Sequence, residues 1–242
     1  MLKYNVRKEW LSLKKIYLCF ILVLILQACG VVEQEHMNRM QTGGDQVNNE
    51  LFEAASKKDT KKVEQLIESG IDLNVQDAQG RTAIMIATYN HDTPTVKALL
   101  DAGADQHVQD DMQNTPFLYA GAEGYLDILR LTIEAGADPT ITNRYGGTAL
   151  IPAAEHGYIE IVEELLTQTA VDVNHVNNLG WTALMEAVIL NDGGKQQQDV
   201  IRLLLSHGAD SSIADHDGIT PLQHAKDKGF DEIVEILETA GR

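Results

Sequence analysis

The sequence predicts an all-α repeat solenoid, a stack of helix-turn-helix units joined by β-hairpin loops. Three observations predict it. A phrase that opens with threonine and closes with alanine recurs at Thr82–Ala87, Thr115–Ala120, Thr148–Ala153, Thr182–Ala187 and Thr220–Ala225, with threonine spacings of 33, 33, 34 and 38 residues. A glycine phrase keeps step with it, as Gly70-Ile71-Asp72, Gly103-Ala104-Asp105, Gly136-Ala137-Asp138 and Gly208-Ala209-Asp210. Apolar runs fill the intervals, at Val96–Leu100, Ile128–Ile133, Ile161–Leu166 and Val200–Leu205. A fixed period of this length marks stacked supersecondary units, because none of them can bury its apolar face without a neighbour.

In chain order, residues 1–28 read as an export leader. Lys3, Arg7, Lys8, Lys14 and Lys15 form a basic region ahead of the unbroken apolar run Ile16–Leu26. A helix of that length spans only about half of a bilayer core, so it reads as the short apolar part of a signal rather than a span. Leu26 is too bulky for the third-last position of ordinary signal cleavage. Leu26-Gln27-Ala28-Cys29 resembles the lipobox of bacterial lipoproteins instead. That resemblance implies a diacylglycerol thioether on Cys29, which becomes the first mature residue. An ordinary signal and an uncleaved anchor are the alternatives. The second cysteine, Cys19, lies inside the apolar run, so the remainder of the chain holds no thiol and no disulfide and depends on packing. Residues 29–47, with Gly43-Gly44 and few apolar side chains, read as a flexible tether.

Residues 48–242 read as the repeat domain, about six units including its caps. Each threonine supplies a side-chain oxygen for the free N–H groups at the start of an inner helix. Pro116 and Pro221 follow at the first helical position, where no amide hydrogen is needed. Ala87, Ala120, Ala153, Ala187 and Ala225 leave room for neighbouring inner helices to approach. Outer helices carry apolar residues at helical spacing, as in Ile161, Val162, Leu165 and Leu166. Gly70, Gly103, Gly136 and Gly208 allow the left-handed residue that ends a helix. Acidic-glycine turns such as Asp215-His216-Asp217-Gly218 then start the next hairpin. The first unit lacks the threonine phrase and is polar, and the sixth ends after an outer helix over 231–239, as capping units require.

Period, threonine phrase and glycine phrase together resemble the ankyrin repeat, over 195 of the 214 residues that follow the leader. The segments Arg144–Gly157 and Gly180–Gly194 look most like bacterial members. The resemblance implies a binding protein rather than an enzyme, with partners held against hairpin tips and the exposed faces of inner helices. The positions it points to here are Arg81, Tyr89, Met112, Asn114, Glu123, Arg144, Tyr145, Glu155, Leu179, Trp181, His216 and Ile219. Tyr145, Trp181 and Tyr89 serve there either as interface anchors or as covers over the hairpins.

Three departures from the family pattern stand out. Its usual histidine, fourth in the threonine phrase, is replaced by Met85, Leu118, Ile151, Met185 and Gln223. The hairpin bracing attributed to that histidine is therefore expected to be absent or replaced by apolar contacts. The fourth full unit has Thr169-Ala170-Val171 in place of the helix-ending glycine. The fifth carries five extra residues within Asn191–Asp199, read as a long polar loop.

Charge and motifs narrow the function classes. The whole chain carries a net charge of -17; losing residues 1–28, with five basic residues and Glu9, takes it to -21. Residues 63–242 hold nine basic and 29 acidic residues, a net of -20, which repels nucleic-acid phosphate. No nucleophile elbow, zinc-binding helix, phosphate loop or cysteine pair is present. No catalytic residue, metal site or cofactor is expected. Glu33, Glu35 and His36 fall in the tether; Asp215-x-Asp217-Gly218 lacks the later oxygen ligands of a calcium loop. Lys57, Lys58, Lys61 and Lys62 read as a solvated helix face rather than a lipid-binding patch. The expected role is a lipid-anchored scaffold outside the cytoplasm that holds a protein, its acidity suiting a basic one. A regulator or immunity-type inhibitor of an extracytoplasmic enzyme would use the same surface.

Overall fold

The computed structural model describes residues 46–240. The leader, Cys29, the metal-capable trio Glu33, Glu35 and His36, and the tether as far as residue 45 lie outside the described residues. The chain divides between Asn49 and Glu50 into two compact units. Of the first, residues 46–49 are described and are helical; they open helix α1, over 46–56, two residues ahead of Asn48. The second unit carries the repeats: α2 (Thr60–Glu68), α3 (Ala83–Tyr89), α4 (Thr93–Asp101), α5 (Pro116–Glu123), α6 (Leu126–Glu134), α7 (Leu150–Glu155), α8 (Ile159–Gln168), α9 (Ala183–Ile189), α10 (Lys195–Ser206), α11 (Pro221–Lys228) and α12 (Asp231–Ala240).

Inner and outer helices form two layers. α3, α5, α7, α9 and α11 each pack on the next inner helix, while α2, α4, α6, α8, α10 and α12 pack on the next outer one. The core lies between the layers. The five phrase alanines are fully buried there, beneath Ile128, Leu129, Ile161, Val162, Leu165, Val200 and Leu204 from the outer helices. The inner layer is tight: a Cβ added at Gly121 on α5 would meet the Cβ of Ala149 at 2.9 Å. Small side chains therefore set the spacing of the stack, as their recurrence predicts. At the far end the last unit is closed by polar contacts, Lys226 to Glu238 at 2.8 Å and Gln223 to Asp227 at 2.7 Å.

Four of the five phrase threonines cap their helices as expected. Thr82, Thr115, Thr182 and Thr220 accept from the backbone N–H of Met85, Leu118, Met185 and Gln223 at 3.2–3.4 Å. Thr148 does not, and Pro152 explains it. Elsewhere the residue four beyond the threonine donates its N–H to the threonine carbonyl, as Ile86 does to Thr82 at 3.0 Å. Pro152 has no N–H to give and disfavours helical geometry at Ile151 before it. The Ile151 N–H turns to the Thr148 carbonyl at 3.3 Å, α7 begins one residue late at Leu150, and Thr148 Oγ1 is buried without a partner.

Hairpin loops join the units as expected, and the insertion differs from the sequence expectation. The hairpins are closed by single residue pairs, such as Asp77 N–H to the Arg81 carbonyl at 3.0 Å, too short for a ladder; among the described residues there is no strand. The insertion is mostly helix. α10 starts at Lys195, so only 190–194 is loop, and its polar side chains are used internally. Gln196 donates to the Gly157 carbonyl at 2.7 Å, Gln197 to Asn191 Oδ1 at 2.9 Å and Gln198 to the Gly193 carbonyl at 3.0 Å.

Candidate partner-binding face

Five hairpins project from the starts of the inner helices, and one side-chain oxygen shapes each of them. Oδ1 of Asp77 accepts the backbone N–H of Gln79 and of Arg81, both at 2.9 Å. Asp110 does the same for Met112 and Asn114, Asn143 for Tyr145 and Gly147, Asn177 for Leu179 and Trp181, and Asp215 for Asp217 and Ile219, all at 2.9–3.1 Å. These brackets brace the hairpins, while four of the places the family's histidine usually fills are taken by the buried apolar side chains Met85, Leu118, Ile151 and Met185. A recurrent Asp or Asn ahead of each turn was the signal in the sequence, with the same 33, 33, 34 and 38 spacing as the threonines.

Neighbouring hairpins are stapled to one another. Gln76 donates to the Gly80 carbonyl of its own hairpin and the Gln109 carbonyl of the next; Gln109 repeats this with Gln113 and Thr142, at 2.6–3.1 Å. The turns need a left-handed residue, which is Gly80, Gly146, Gly180 or Gly218 in four hairpins. In the other, Gln113 takes φ 57°, a conformation disfavoured by its Cβ.

The second atom of each bracket side chain differs, and so does its chemistry. Asp77 Oδ2 receives Arg81 Nε and Nη2 at 2.8 and 2.6 Å. Burial pushes the Asp77 carboxyl up, but hydrogen bonds from Arg81 and the turn outweigh it and hold it below its usual range. Asp110 Oδ2 receives the Tyr89 hydroxyl at 2.5 Å, and burial with that carboxylate pushes Tyr89 up to about 12. Asp215 Oδ2 pairs with His224 Nε2 at 2.7 Å. Asn177 instead donates Nδ2 to Glu186 Oε1 on α9 at 2.8 Å. Glu186 is 6% exposed; burial pushes its carboxyl up to about 7, Glu155 on α7 adds to the rise, and Asn177 opposes it.

The twelve positions singled out in the sequence divide into braces and free surface. Arg81, Tyr89 and Asn114 are half-buried and engaged within the array, Asn114 donating to the Tyr89 hydroxyl at 3.0 Å. Trp181 and Ile219 are half-buried beside their brackets, and His216 is exposed with its ring against Gly180. Glu123 is exposed and Glu155 half-buried at the ends of α5 and α7. Met112, Tyr145 and Leu179 occupy the same place in three successive hairpin tips and are 43%, 53% and 50% exposed. Arg144 links two of them, its Nη1 lying 3.1 Å from Met112 Sδ and its guanidinium 4.7 Å from the Tyr145 ring centre. The Asn178 N–H, bonded to the Tyr145 carbonyl at 2.9 Å, joins the third tip to the row. The result is an apolar row with one cation in an otherwise acidic domain. Glu186 and Asn177, which stand beside this row, were not singled out in the sequence. Among the described residues, no group of His, Cys, Asp and Glu is placed to hold a metal, and no helix is long and apolar enough to cross a membrane.

A family model described as ankyrin repeats in three copies matches residues 51–143 and 122–215. Among curated proteins, the chain is 50% identical over 80 residues to a putative ankyrin repeat protein, YahD, of Escherichia coli (strain K12). That alignment covers 33% of this chain and 40% of the relative, so the chain spans about two fifths of its length. Among solved structures, an ankyrin repeat domain from Acinetobacter baumannii AYE aligns with TM-score 0.77 and 49% identity over 79% of this chain and 97% of that one. The ankyrin repeat domain of Bcl-3, an IkappaB family member, aligns with TM-score 0.72 and 25% identity over 79% and 86%.

Proposed function

The chain belongs to the ankyrin-repeat family, and we propose that it holds a protein partner along the row of Met112, Tyr145 and Leu179 while a lipid on Cys29 anchors it outside the cytoplasm. Ankyrin repeats generally mediate protein–protein interaction, and their proteins are generally non-enzymatic scaffolds. The observation that carries the reading is the row itself. Three large apolar side chains stand exposed at equivalent tips, on hairpins whose backbones are held in place before any partner arrives. Pre-ordered apolar anchors of this kind lower the ordering cost of association. The surrounding net charge of -20 favours a basic partner, through faster encounter more than through final affinity.

Capture of a partner by the tagged full chain tests the face. The double substitution Tyr145→Ala/Leu179→Ala is expected to weaken capture by more than about tenfold; undiminished capture would sink the assigned face. The anchor is tested separately. Incorporation of a fatty-acid analogue is expected in the parent chain and lost in Cys29→Ala, whereas equal labelling of both refutes lipid attachment at that thiol.

A further inference from the structure

The Asn177 hairpin differs from the others in what stands behind its bracket. Asn177 is 7% exposed and Glu186 6%, so their contact at 2.8 Å is shielded from water. Asn177 uses both ends of its amide: Nδ2 donates to Glu186, and Oδ1 holds the N–H groups of Leu179 and Trp181 at 2.9 and 3.0 Å. Glu186 is thereby connected through one side chain to Leu179 of the tip row and to Trp181 beside it.

Among the described residues, no cation offsets the charge on Glu186. From α7 the group acting on it is Glu155, a like charge. From α10 comes Gln197, its amide bonded to Asn191, while Lys195 is engaged with Asp199 on the exposed side. From α11 come His224, bonded to Asp215, then Lys226, paired with Glu238, and the exposed Asp227. Proton uptake is the way this carboxylate becomes neutral within the fold.

We propose that Glu186 is a proton-operated latch on the Asn177 hairpin, holding the Leu179–Trp181 edge tightly when ionised and loosely when protonated. The ionised carboxylate only accepts, and it orients the Asn177 amide with Nδ2 inward and Oδ1 toward the turn. A proton from solvent makes one Glu186 oxygen a donor. The hydrogen bond from Asn177 Nδ2 to the neutral acid is weaker than the one to the carboxylate, so the amide whose Oδ1 holds Leu179 N–H and Trp181 N–H is less firmly oriented. The three aspartate brackets lack this response: Asp77, Asp110 and Asp215 carry acceptors at both ends, with Arg81, Tyr89 and His224 at the second. Regulation of partner binding by this latch rests on the reading that the tip row is the partner face; the latch itself does not.

The test uses the full chain with Trp10→Phe, which leaves Trp181 as its single tryptophan. Trp181 emission and amide exchange at Leu179 and Trp181 are followed between about pH 5 and pH 9. The expected result is one transition centred near 7, with lower amide protection on the acid side once rates are divided by the intrinsic base-catalysed rate at each pH. Glu186→Gln, which keeps the shape, is expected to abolish the transition. Glu155→Gln is expected to move it to lower pH by removing the like charge. A flat profile in the parent, an unchanged transition in Glu186→Gln, or an unmoved one in Glu155→Gln overturns the latch. Tyr145→Ala separates the two readings, because it removes an anchor of the row without touching Glu186. If capture depends on Tyr145 and the profile is flat, the latch alone falls; if the transition is present and capture is indifferent to Tyr145, the partner face alone falls.

Discussion

The Asp77 and Asn177 hairpins are built on the same frame and closed in opposite ways. In each, one Oδ1 accepts two backbone N–H groups at 2.9–3.0 Å, and the turn ends on a left-handed glycine. Asp77 then spends its second oxygen on the Arg81 guanidinium at the surface, where the two charges cancel. Asn177 spends its second end on a buried carboxylate that no cation balances. The first atom of the bracket sets the shape of the turn, and the second sets how that shape responds to pH.

Glu186→Gln is expected to have the largest effect on that contrast. A carboxyl raised from 4.5 to about 7 on folding binds its proton more tightly in the folded state. Its stabilising contribution is complete below 4.5 and is lost as pH rises through 7, a loss of about 3 kcal/mol at 1.36 kcal/mol per unit. Urea unfolding should therefore show Glu186→Gln more stable than the parent by that order at pH 8 and nearly equal to it at pH 4.5. Asn177→Ala comes next, costing about 2 kcal/mol at pH 8, because it strips two turn N–H groups and leaves Glu186 without its donor. Gln113→Gly is expected to gain about 1 kcal/mol in thermal unfolding, by removing the left-handed strain from the hairpin that lacks a glycine there. Asp77→Asn is the smallest, about 0.5 kcal/mol, since it keeps the bracket and loses a partly exposed ion pair. Its sign with pH is opposite to that of Glu186. A lowered carboxyl contributes above its ordinary range and loses that contribution as pH falls through the lowered value, so Asp77→Asn should flatten the acid limb of the stability curve.

The layers, caps and tip positions were legible in the sequence because each rests on a short local pattern repeated at the period. Thr82, Thr115, Thr182 and Thr220 do what a threonine ahead of an apolar run does, and the buried alanines mark where helices meet. Thr148 failed because its phrase contains Pro152 at the residue that should return an N–H to it, a clash visible only when the bond is drawn. Asn191–Asp199 looked like loop because its composition is polar. Two of its glutamines are satisfied by carbonyls of 157 and 193 and the third by Asn191, which stacking and the turn of the chain bring into reach. Glu186 stayed hidden for the same reason. Its position in the phrase is occupied by Ile86, Tyr119, Pro152 and His224 in the other units, so the period assigns it no role. Its chemistry comes from Asn177, nine residues away across the hairpin, and from Glu155 on the preceding inner helix.

Site-specific photocrosslinking tests the partner face most directly. A photoreactive residue replaces Tyr145 in one full-length chain and Glu163, on the outer helix α8, in another; both are irradiated in intact cells. The hairpin site should give one defined protein adduct, identified by mass spectrometry and diminished by Leu179→Ala, and the outer-helix site should give none of that species. The same adduct from both positions, or from the outer helix alone, would contradict a partner held along Met112, Tyr145 and Leu179.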